Sequence, residues 1–295
     1  MNKYLGILAV ILASLLWGTT GTAATFAPAL SPLFIGSFAM SIGGFLQCGL
    51  ASVNIVHDRA LLVMYRRFLI VGAFAVAIYP LAFYSSMRLS GVTIGTVVSI
   101  GSAPILSAII EYLSRDFQLN KQWATGALLG IIGMVMLAFS DNASTTIQNT
   151  HVYFGILLGL VAGFTYALYS WSARQLMLKG INTKAAMGAT FGCGGLLLIP
   201  VMLITGSAFF TSWTNIAVGF YMVLIPMFLG YFCYGFGLSK ISASMATTIT
   251  LLEPVVATIF AMLIVGEYLS IIGWVGMLLI FICLIMVTLS SLAKN

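Results

Sequence analysis

Residues 241–264 read ISASMATTITLLEPVVATIFAMLI, a stretch of 24 residues in which Glu253 is the only charged side chain. A bilayer core about 30 Å thick requires about 20 apolar residues for one helical crossing, so this stretch predicts a transmembrane helix. Of the 295 residues in the chain, 61% are hydrophobic and 6% are charged, whereas soluble domains carry about 25% charged residues. The composition therefore predicts an all-α integral membrane protein in a lipid bilayer.

Ten apolar runs of this kind are separated by charged breaks or by breaks rich in Pro, Ser, Thr and Asn. They lie at residues 4–24, 33–54, 68–87, 91–113, 123–140, 152–174, 185–205, 213–235, 241–264 and 269–290. We interpret them as ten transmembrane helices joined by short connections.

The charged residues give an independent test of the number of spans. With the N-terminus in the cytoplasm, Arg88 is the only basic residue on the outer side. The cytoplasmic segments contain Lys3, Arg59, Arg66, Arg67, Arg115, Lys121, Arg174, Lys179, Lys184, Lys240 and Lys294. This asymmetry follows the positive-inside rule and predicts that both termini are cytoplasmic. Since the net charge of +6 is scattered over short loops, it does not indicate a nucleic-acid partner.

The two halves of the chain resemble each other. GILAVILASLLW from Gly6 aligns with GILLGLVAGFTY from Gly155, which places Trp17 opposite Tyr166. Further pairs align without a gap at a shift of 150 residues: Tyr84 with Tyr234, Pro104 with Pro254, Leu119 with Leu269 and Gly126 with Gly276. Because five spans per half is an odd number, we predict two inverted five-helix repeats, residues 1–148 and 149–295. Inverted repeats with a site near the midplane are a recurrent plan of secondary transporters.

Glu253 is the principal functional candidate, because a carboxylate at bilayer depth is expensive and no Lys or Arg lies at comparable depth in another span. It could bind a proton or a cationic group of a substrate. Alternatively, it could be a neutral acid that hydrogen-bonds the backbone freed by Pro254. Pro104 and Pro254 are predicted to bend or break their helices at the functional centre, with a role in gating.

Hydroxyl and aromatic side chains in the spans are further candidates for a cavity lining, although each aromatic residue could instead serve packing or an interfacial belt. The predicted substrate-binding or proton-binding residues are Glu253, Thr250, Ser99, Ser102, Trp17, Tyr79 and Tyr166. Ser99, Ser102 and Thr250 are the stronger candidates, because three- or four-residue spacing places them on the helical faces of the sites around Pro104 and Glu253. Thr20, Tyr169 and Tyr231 are weaker candidates of the same kind. Glu111 is predicted to form an interfacial ion pair with Arg115, one turn further on.

Other classes of function lack their required residues. Cys48, Cys193, Cys233 and Cys283 occur singly in apolar runs, which predicts neither a metal site nor a redox site. His57 and His151 lie in predicted loops, so we expect no enzyme. The phosphate-binding pattern G-x-x-x-x-G-K-[ST] is absent, so we expect no ATP hydrolysis and no cofactor. A channel or a scaffold stays open as an alternative, but neither predicts an inverted repeat with one intramembrane carboxylate.

The stretch LEPVVATIFAMLIVGEYLSIIGWVG from Leu252 to Gly276 resembles the Glu-Pro, Gly-Glu and Trp/Gly-x-Gly pattern of the EamA family, in the drug/metabolite transporter superfamily. Pro104 and the following SAIIEYLSRDFQLNKQWATG resemble the weaker first copy. The resemblance extends to Glu253, Pro254, Gly266 and Glu267, and less closely to Trp17 and Pro104. Many members have an arginine in the second span, which LFIGSFAMS after Pro32 lacks. An anion-binding charge expected from the family is therefore missing.

The resemblance implies export of amino acids, amines, organic acids or drug-like metabolites across a bacterial inner membrane. We therefore predict a secondary transporter that exports amino acids or related small metabolites by alternating access, coupled to protons. A multidrug or organic-cation exporter and a metabolite uptake carrier are the alternatives. A monomer would contain both repeats, and a homodimer is equally compatible with the sequence.

Overall fold

The computed structural model describes residues 3–114, 121–138, 150–266 and 268–292, and within these ranges every regular element is a helix. The α-helices in chain order are α1 (Lys3–Trp17), α2 (Thr20–Thr25), α3 (Pro32–Leu50), α4 (Ser52–His57), α5 (Arg59–Met64), α6 (Arg66–Ser90), α7 (Val92–Leu113), α8 (Lys121–Ala138), α9 (Thr150–Leu178), α10 (Thr183–Thr205), α11 (Trp213–Met222), α12 (Tyr231–Leu238), α13 (Ala243–Ile249), α14 (Leu252–Phe260) and α15 (Ile271–Leu292). A 3-10 helix lies at Phe209–Thr211, and two π-helical segments lie at Val223–Gly230 and Ala261–Val265.

Nine helical stretches of the described chain are long and apolar enough to cross a membrane. They are Lys3–Thr25, Pro32–Leu50, Arg66–Ser90, Ile94–Leu113, His151–Leu178, Thr183–Thr205, Trp213–Leu238, Ala243–Ile264 and Ile271–Leu289. The shorter apolar helix Lys121–Leu137 lies at the fifth predicted span. The prediction of an all-α, multi-pass membrane protein with ten helices is thus confirmed, and the order of the spans agrees with the sequence.

Several helix pairs bring a span of the first half against a span of the second half. Five of them are α1 with α12, α3 with α10, α6 with α9, α7 with α13, and α8 with α15. We call the side of the bundle on which α1 begins the N-terminal face. Since the spans alternate in direction, α3 and α12 end at this face, and α10 and α13 begin there.

Small residues make the close crossings possible. A Cβ atom added to Gly163 of α9 would overlap the hydroxyl oxygen of Ser102 on α7. A Cβ at Gly159 would lie 2.9 Å from the hydroxyl oxygen of Ser86 on α6. Small side chains at four-residue spacing let helix backbones approach closely in lipid. The glycine stripe of α9 therefore seats this helix between α6 and α7, at the centre of the bundle.

Candidate functional site

A cavity lies between α1, α3, α6, α9, the first π-helical segment and α14. It encloses about 520 Å³, including the space at its open side. Seven of its thirteen lining residues are aromatic: Trp17, Tyr79, Phe83, Tyr84, Tyr166, Tyr169 and Tyr231. Glu253 is the charged residue of the lining. The cavity therefore presents one carboxylate to an otherwise aromatic and apolar space.

Glu253 lies in the first turn of α14, beside a break in the ninth span. The span consists of α13, which ends at Ile249, and α14, which begins at Leu252. The backbone between them closes with the hydrogen bond from the Glu253 amide to the Thr250 carbonyl, 3.0 Å long. Pro254 follows within the first turn of α14, where a helix needs no backbone N–H donor. The break therefore occurs just before Pro254 and directs Glu253 towards the cavity.

Threonine hydroxyls stabilise the end of α13. The Thr247 hydroxyl donates to the Ala243 carbonyl at 2.9 Å, and the Thr248 hydroxyl donates to the Ser244 carbonyl at 2.7 Å. The Thr250 hydroxyl donates to the Thr247 carbonyl at 2.9 Å. Such local bonds compete with regular helical bonding, which is why threonines are common where helices end or bend. The sequence TTIT thus supplies hydroxyl donors for the carbonyls of α13 next to the break.

The Glu253 side chain is partly accessible from the cavity. Within the described part of the chain, its carboxylate has no hydrogen bond and no ion pair. An intramembrane carboxylate needs a proton or a cation to offset its charge, because no bulk water solvates it. The geometry therefore leaves Glu253 able to bind a proton or a cationic group in the cavity.

Trp17 forms one wall of the cavity and is fixed in place. Its indole N–H donates to the carbonyl of Pro226 at 2.8 Å, and Pro226 lies within the π-helical segment Val223–Gly230. A Cβ at Gly230 would lie 2.6 Å from the indole nitrogen, so only glycine admits the ring there. The Tyr231 ring centre lies 4.7 Å from that of Trp17. The tryptophan thus stabilises a distorted helix with a polar bond while presenting its ring to the cavity.

Hydrogen bonds of the hydroxyl groups and contacts between the rings fix the tyrosines of the cavity. The Tyr166 hydroxyl donates to the Thr250 hydroxyl oxygen at 2.9 Å. The Tyr169 and Tyr231 hydroxyls share a hydrogen bond of 3.0 Å. The Tyr79 ring centre lies 5.6 Å from that of Tyr166 and 5.8 Å from that of Tyr169. These contacts make a rigid aromatic wall, whose ring faces can attract a cation.

The structure brings four of the predicted binding residues together. Glu253, Trp17, Tyr79 and Tyr166 all line the cavity, and so do the weaker candidates. Sequence reasoning did not single out Phe83 as a lining residue. Its position one helical turn after Tyr79 on α6 was a usable signal, because residues four apart share a helix face.

The hydroxyl candidates lie behind the lining. Thr250 is fully buried and holds Tyr166. Ser102 lies in the crossing with Gly163, and the buried Ser99 hydroxyl has no hydrogen-bond partner in the described chain. Helical spacing places these residues near the site but does not distinguish a cavity face from a packing face.

Pro104 lies inside α7, which continues without a break from Val92 to Leu113.

The structure corrects the sequence interpretation of Glu111. It was predicted at the membrane interface, but its side chain is 2% exposed. Its two carboxylate oxygens accept hydrogen bonds from the amides of Ala243 at 2.7 Å and Ser244 at 3.2 Å. The free amides at a helix start favour an acceptor with negative charge, which explains the position of Glu111 at the first residues of α13. The predicted partner Arg115 lies outside the described residues, as does Glu267.

Arg174 of α9 completes the contacts around the start of α13. Its guanidinium donates to the carbonyls of Leu238 and Ile241, in the connection between α12 and α13. The Thr247 hydroxyl oxygen also lies 3.2 Å from the Ser107 hydroxyl oxygen of α7. The N-terminal half of the broken span is therefore fixed to α7 and α9 at the N-terminal face, whereas its other half carries Glu253.

Comparison with known proteins gives a consistent result over nearly the whole chain. The family model of the "EamA-like transporter family" matches residues 4–139 and 153–289. The chain is 29% identical to "Uncharacterized transporter YwfM" of Bacillus subtilis, over 95% of this chain and 92% of that protein. It is 26% identical to "Uncharacterized inner membrane transporter YicL" of Salmonella typhimurium, over 97% and 96%.

Two further matches extend the comparison. "Protein PecM" of Dickeya dadantii is 28% identical over 92% of this chain and 88% of its own length. A solved crystal structure of a protein superposes with a TM-score of 0.79 at 18% identity, covering 98% of both chains. This structural match concerns the fold alone, and the sequence matches concern the family.

Proposed function

The chain belongs to the EamA-like transporter family and is a multi-pass membrane transporter, and from this premise we propose that it exports amino acids or related amino-bearing metabolites in exchange for protons. The observation that carries the proposal is the Glu253 carboxylate, which faces an aromatic cavity without a hydrogen bond or ion pair in the described chain. A small cavity with few polar groups suits a small-molecule ligand.

Coupling follows from competition for one carboxylate. A proton and a substrate ammonium group each neutralise Glu253, and both cannot do so at once. Binding of the ammonium group therefore releases a proton, and a proton arriving from the acidic side expels the substrate. Trp17, Tyr79 and Tyr166 contribute ring faces that favour a cation in the desolvated cavity. Aromatic walls also favour hydrophobic amines and organic cations, which makes an organic-cation exporter the second candidate.

Alternating access is proposed from the way in which the halves meet. An operation that exchanges spans one to five with spans six to ten converts the α1–α12 pair into the α9–α6 pair. The same operation leaves the pairs α3–α10, α7–α13 and α8–α15 unchanged. This agrees with two inverted repeats, residues 1–148 and 149–295. In such carriers, the repeats rock around a site near the midplane. The break before Pro254 gives the second repeat a hinge beside Glu253.

The orientation is also a proposal. In the described chain, Lys3, Arg66, Lys184 and Lys240 lie at the N-terminal face, and Arg88 lies in the last turn of α6 at the opposite face. The positive-inside rule then places the N-terminal face and both termini in the cytoplasm. The similarity to a relative named an inner membrane transporter supports a bacterial inner membrane. The direction of net transport, export or uptake, follows the gradients imposed on such a carrier.

Transport by purified protein in liposomes tests the proposal. A thermal-shift screen of amino acids, primary amines and organic cations first selects a ligand, because a bound ligand stabilises the folded state. Counterflow of this ligand is then measured with and without a pH gradient. We expect saturable counterflow that an opposing pH gradient accelerates in the wild type but not in Glu253→Gln. Non-saturating flux down the gradient would instead indicate a channel.

Two control variants separate this outcome from loss of folding. Glu253→Asp keeps the carboxylate and should retain pH-dependent exchange. Arg88→Gln changes an exposed charge away from the cavity and should transport like the wild type. Full pH-dependent exchange by a folded Glu253→Gln protein would overturn the proposed coupling while leaving the family membership untouched.

A further inference from the structure

A second cavity lies at the N-terminal face, away from the aromatic cavity. It is a groove between the end of α3, the start of α10 and α12, and it encloses about 630 Å³ including its open side. One part of its lining is apolar and includes Leu50, Phe232 and Phe236. The other part is polar and includes Asn182 and Lys184. The groove is therefore amphipathic, with a polar end and an apolar wall.

The apolar wall is open to the surroundings of the bundle. Leu50 is 52% exposed, and Phe232 and Phe236 are each 39% exposed. The two phenylalanines lie one helical turn apart on α12, so their rings form one continuous face. Because α12 and α3 end at the N-terminal face, this wall lies at the level where acyl chains meet headgroups. A hydrocarbon chain fits such a wall better than a soluble ligand.

Two lysines flank the wall, one on each ring. The Lys184 ammonium lies 6.0 Å from the ring centre of Phe232, and the Lys240 ammonium lies 5.8 Å from that of Phe236. These distances are within reach of a cation–π contact. Neither ammonium has a carboxylate oxygen within 4.0 Å in the described ranges. Lys184 lines the groove, and Lys240 lies against the ring of Phe236, so two positive charges without a carboxylate partner lie beside the apolar wall.

The acidic side chain next to the start of α10 is already engaged. The carboxylate of Asp58 accepts a hydrogen bond from the Asn182 amide at 2.7 Å and lies 4.0 Å from the His57 ring. The Asn182 side chain in turn accepts from the Lys184 amide at 2.9 Å, which caps the start of α10. The backbone at the start of α10 is thereby fixed, and the Lys184 side chain is free to meet a ligand.

We propose that this groove is a binding site for an anionic phospholipid of the leaflet at the N-terminal face, with its phosphate between Lys184 and Lys240 and one acyl chain along Phe232 and Phe236. Charge complementarity and the amphipathic lining select this occupant: a zwitterionic lipid would bring its own cation to the lysines, and a soluble phosphate would not cover the rings. Basic pockets between helices on this kind of face are known to hold anionic headgroups. The inference is independent of the substrate transported.

Native mass spectrometry of the purified full chain tests the site. The protein is incubated with equal amounts of phosphatidylglycerol and phosphatidylcholine, and retention of each lipid is measured. The wild type should retain phosphatidylglycerol preferentially. Lys184→Gln should lower its affinity about fivefold, and Lys184→Gln/Lys240→Gln roughly 25-fold. Lys179→Gln removes a charge on the same face beside Tyr65 and should change nothing.

Each further outcome decides for or against the lipid. Lys184→Arg/Lys240→Arg keeps both charges and should keep the preference, while size-exclusion profiles verify the fold of every variant. Unchanged phosphatidylglycerol retention in the double glutamine variant would overturn the proposal. Displacement of the lipid by millimolar glycerol 3-phosphate would assign the lysines to a soluble anion instead. A dimer that disappears in the double variant would assign the groove to a second copy of the chain.

Discussion

The chain contains two glutamates within its membrane-spanning helices whose environments are opposite. Glu111, on α7, is 2% exposed and accepts two backbone amides at the start of α13. Glu253, at the start of α14, faces the cavity and has no hydrogen bond or ion pair to its side chain among the described residues. The Glu111 carboxylate is thus hydrogen-bonded within the protein, whereas the Glu253 carboxylate is left open to a ligand.

The difference between the two glutamates shows that the two halves of the broken ninth span have different roles. Glu111 fixes the half of the ninth span that lies at the N-terminal face, by binding the amides of α13. Glu253 occupies the other half, past the break. A satisfied carboxylate stabilises the fold, whereas an unsatisfied one is costly unless a proton or ligand completes it. We therefore expect substitutions at the two glutamates to affect different observables.

The largest expected effect is on transport by Glu253→Gln. The amide keeps the size of the side chain but cannot release a proton or attract a cation, so pH-driven exchange should fall to the level of empty liposomes. The thermal unfolding temperature should stay unchanged or rise, because no hydrogen bond is lost. Fluorescence-detected unfolding and liposome exchange measure the two properties. Loss of both folding and transport would show that Glu253 is structural, like Glu111.

Glu111→Ala should reverse this pattern. Removing the carboxylate leaves the amides of Ala243 and Ser244 buried without acceptors, at about 2–4 kcal/mol in the free energy of unfolding. Glu111→Gln retains one acceptor oxygen and should lose less. Unfolding in detergent measures the stability of both variants. If neither variant were less stable than the wild type, the cap on α13 would not contribute to the fold.

Trp17→Phe sharpens the comparison at the wall beside Glu253. The substitution keeps an aromatic ring but leaves the Pro226 carbonyl without the indole donor, so stability should fall by about 1–2 kcal/mol. The exposed Trp213, at 85% exposure, provides the control, because Trp213→Phe should leave the unfolding temperature unchanged. Equal stability of Trp17→Phe and the wild type would mean that the bond to Pro226 does not hold the π-helical segment.

The smallest effect is expected for Tyr166→Phe. The variant loses the bond from the tyrosine hydroxyl to Thr250, about 0.5–1.5 kcal/mol, while the Thr250 hydroxyl keeps its bond to the Thr247 carbonyl. Ligand affinity in the thermal-shift assay should change less than twofold, because the ring face remains. A loss of binding as large as that of Glu253→Gln would show that the hydroxyl itself contacts the ligand.

The number of spans could be predicted from the sequence because lipid imposes a length and a polarity on every crossing helix. Glu253 and Trp17 could be identified because a charge at bilayer depth and an aromatic residue in a repeat stand out locally.

The role of Glu111 could not be predicted, because its partners Ala243 and Ser244 are more than 130 residues away. Local spacing suggested an ion pair with Arg115, and only the packing of α7 against α13 creates the alternative. The proline pair shows the same limit. Pro104 and Pro254 align in the repeat, but only the second follows a helix end whose carbonyls are bonded by threonine hydroxyls.

The most direct test of the account is whether ligand binding displaces a proton from Glu253. The ligand selected by thermal shift is added to purified protein in weakly buffered detergent, and a pH-indicator dye records the protons released. The wild type should release about one proton per bound ligand at saturation, as expected for competition at one carboxylate. Glu253→Gln should release none. Equal proton release from both proteins, or stoichiometric binding to the wild type without release, would contradict the account.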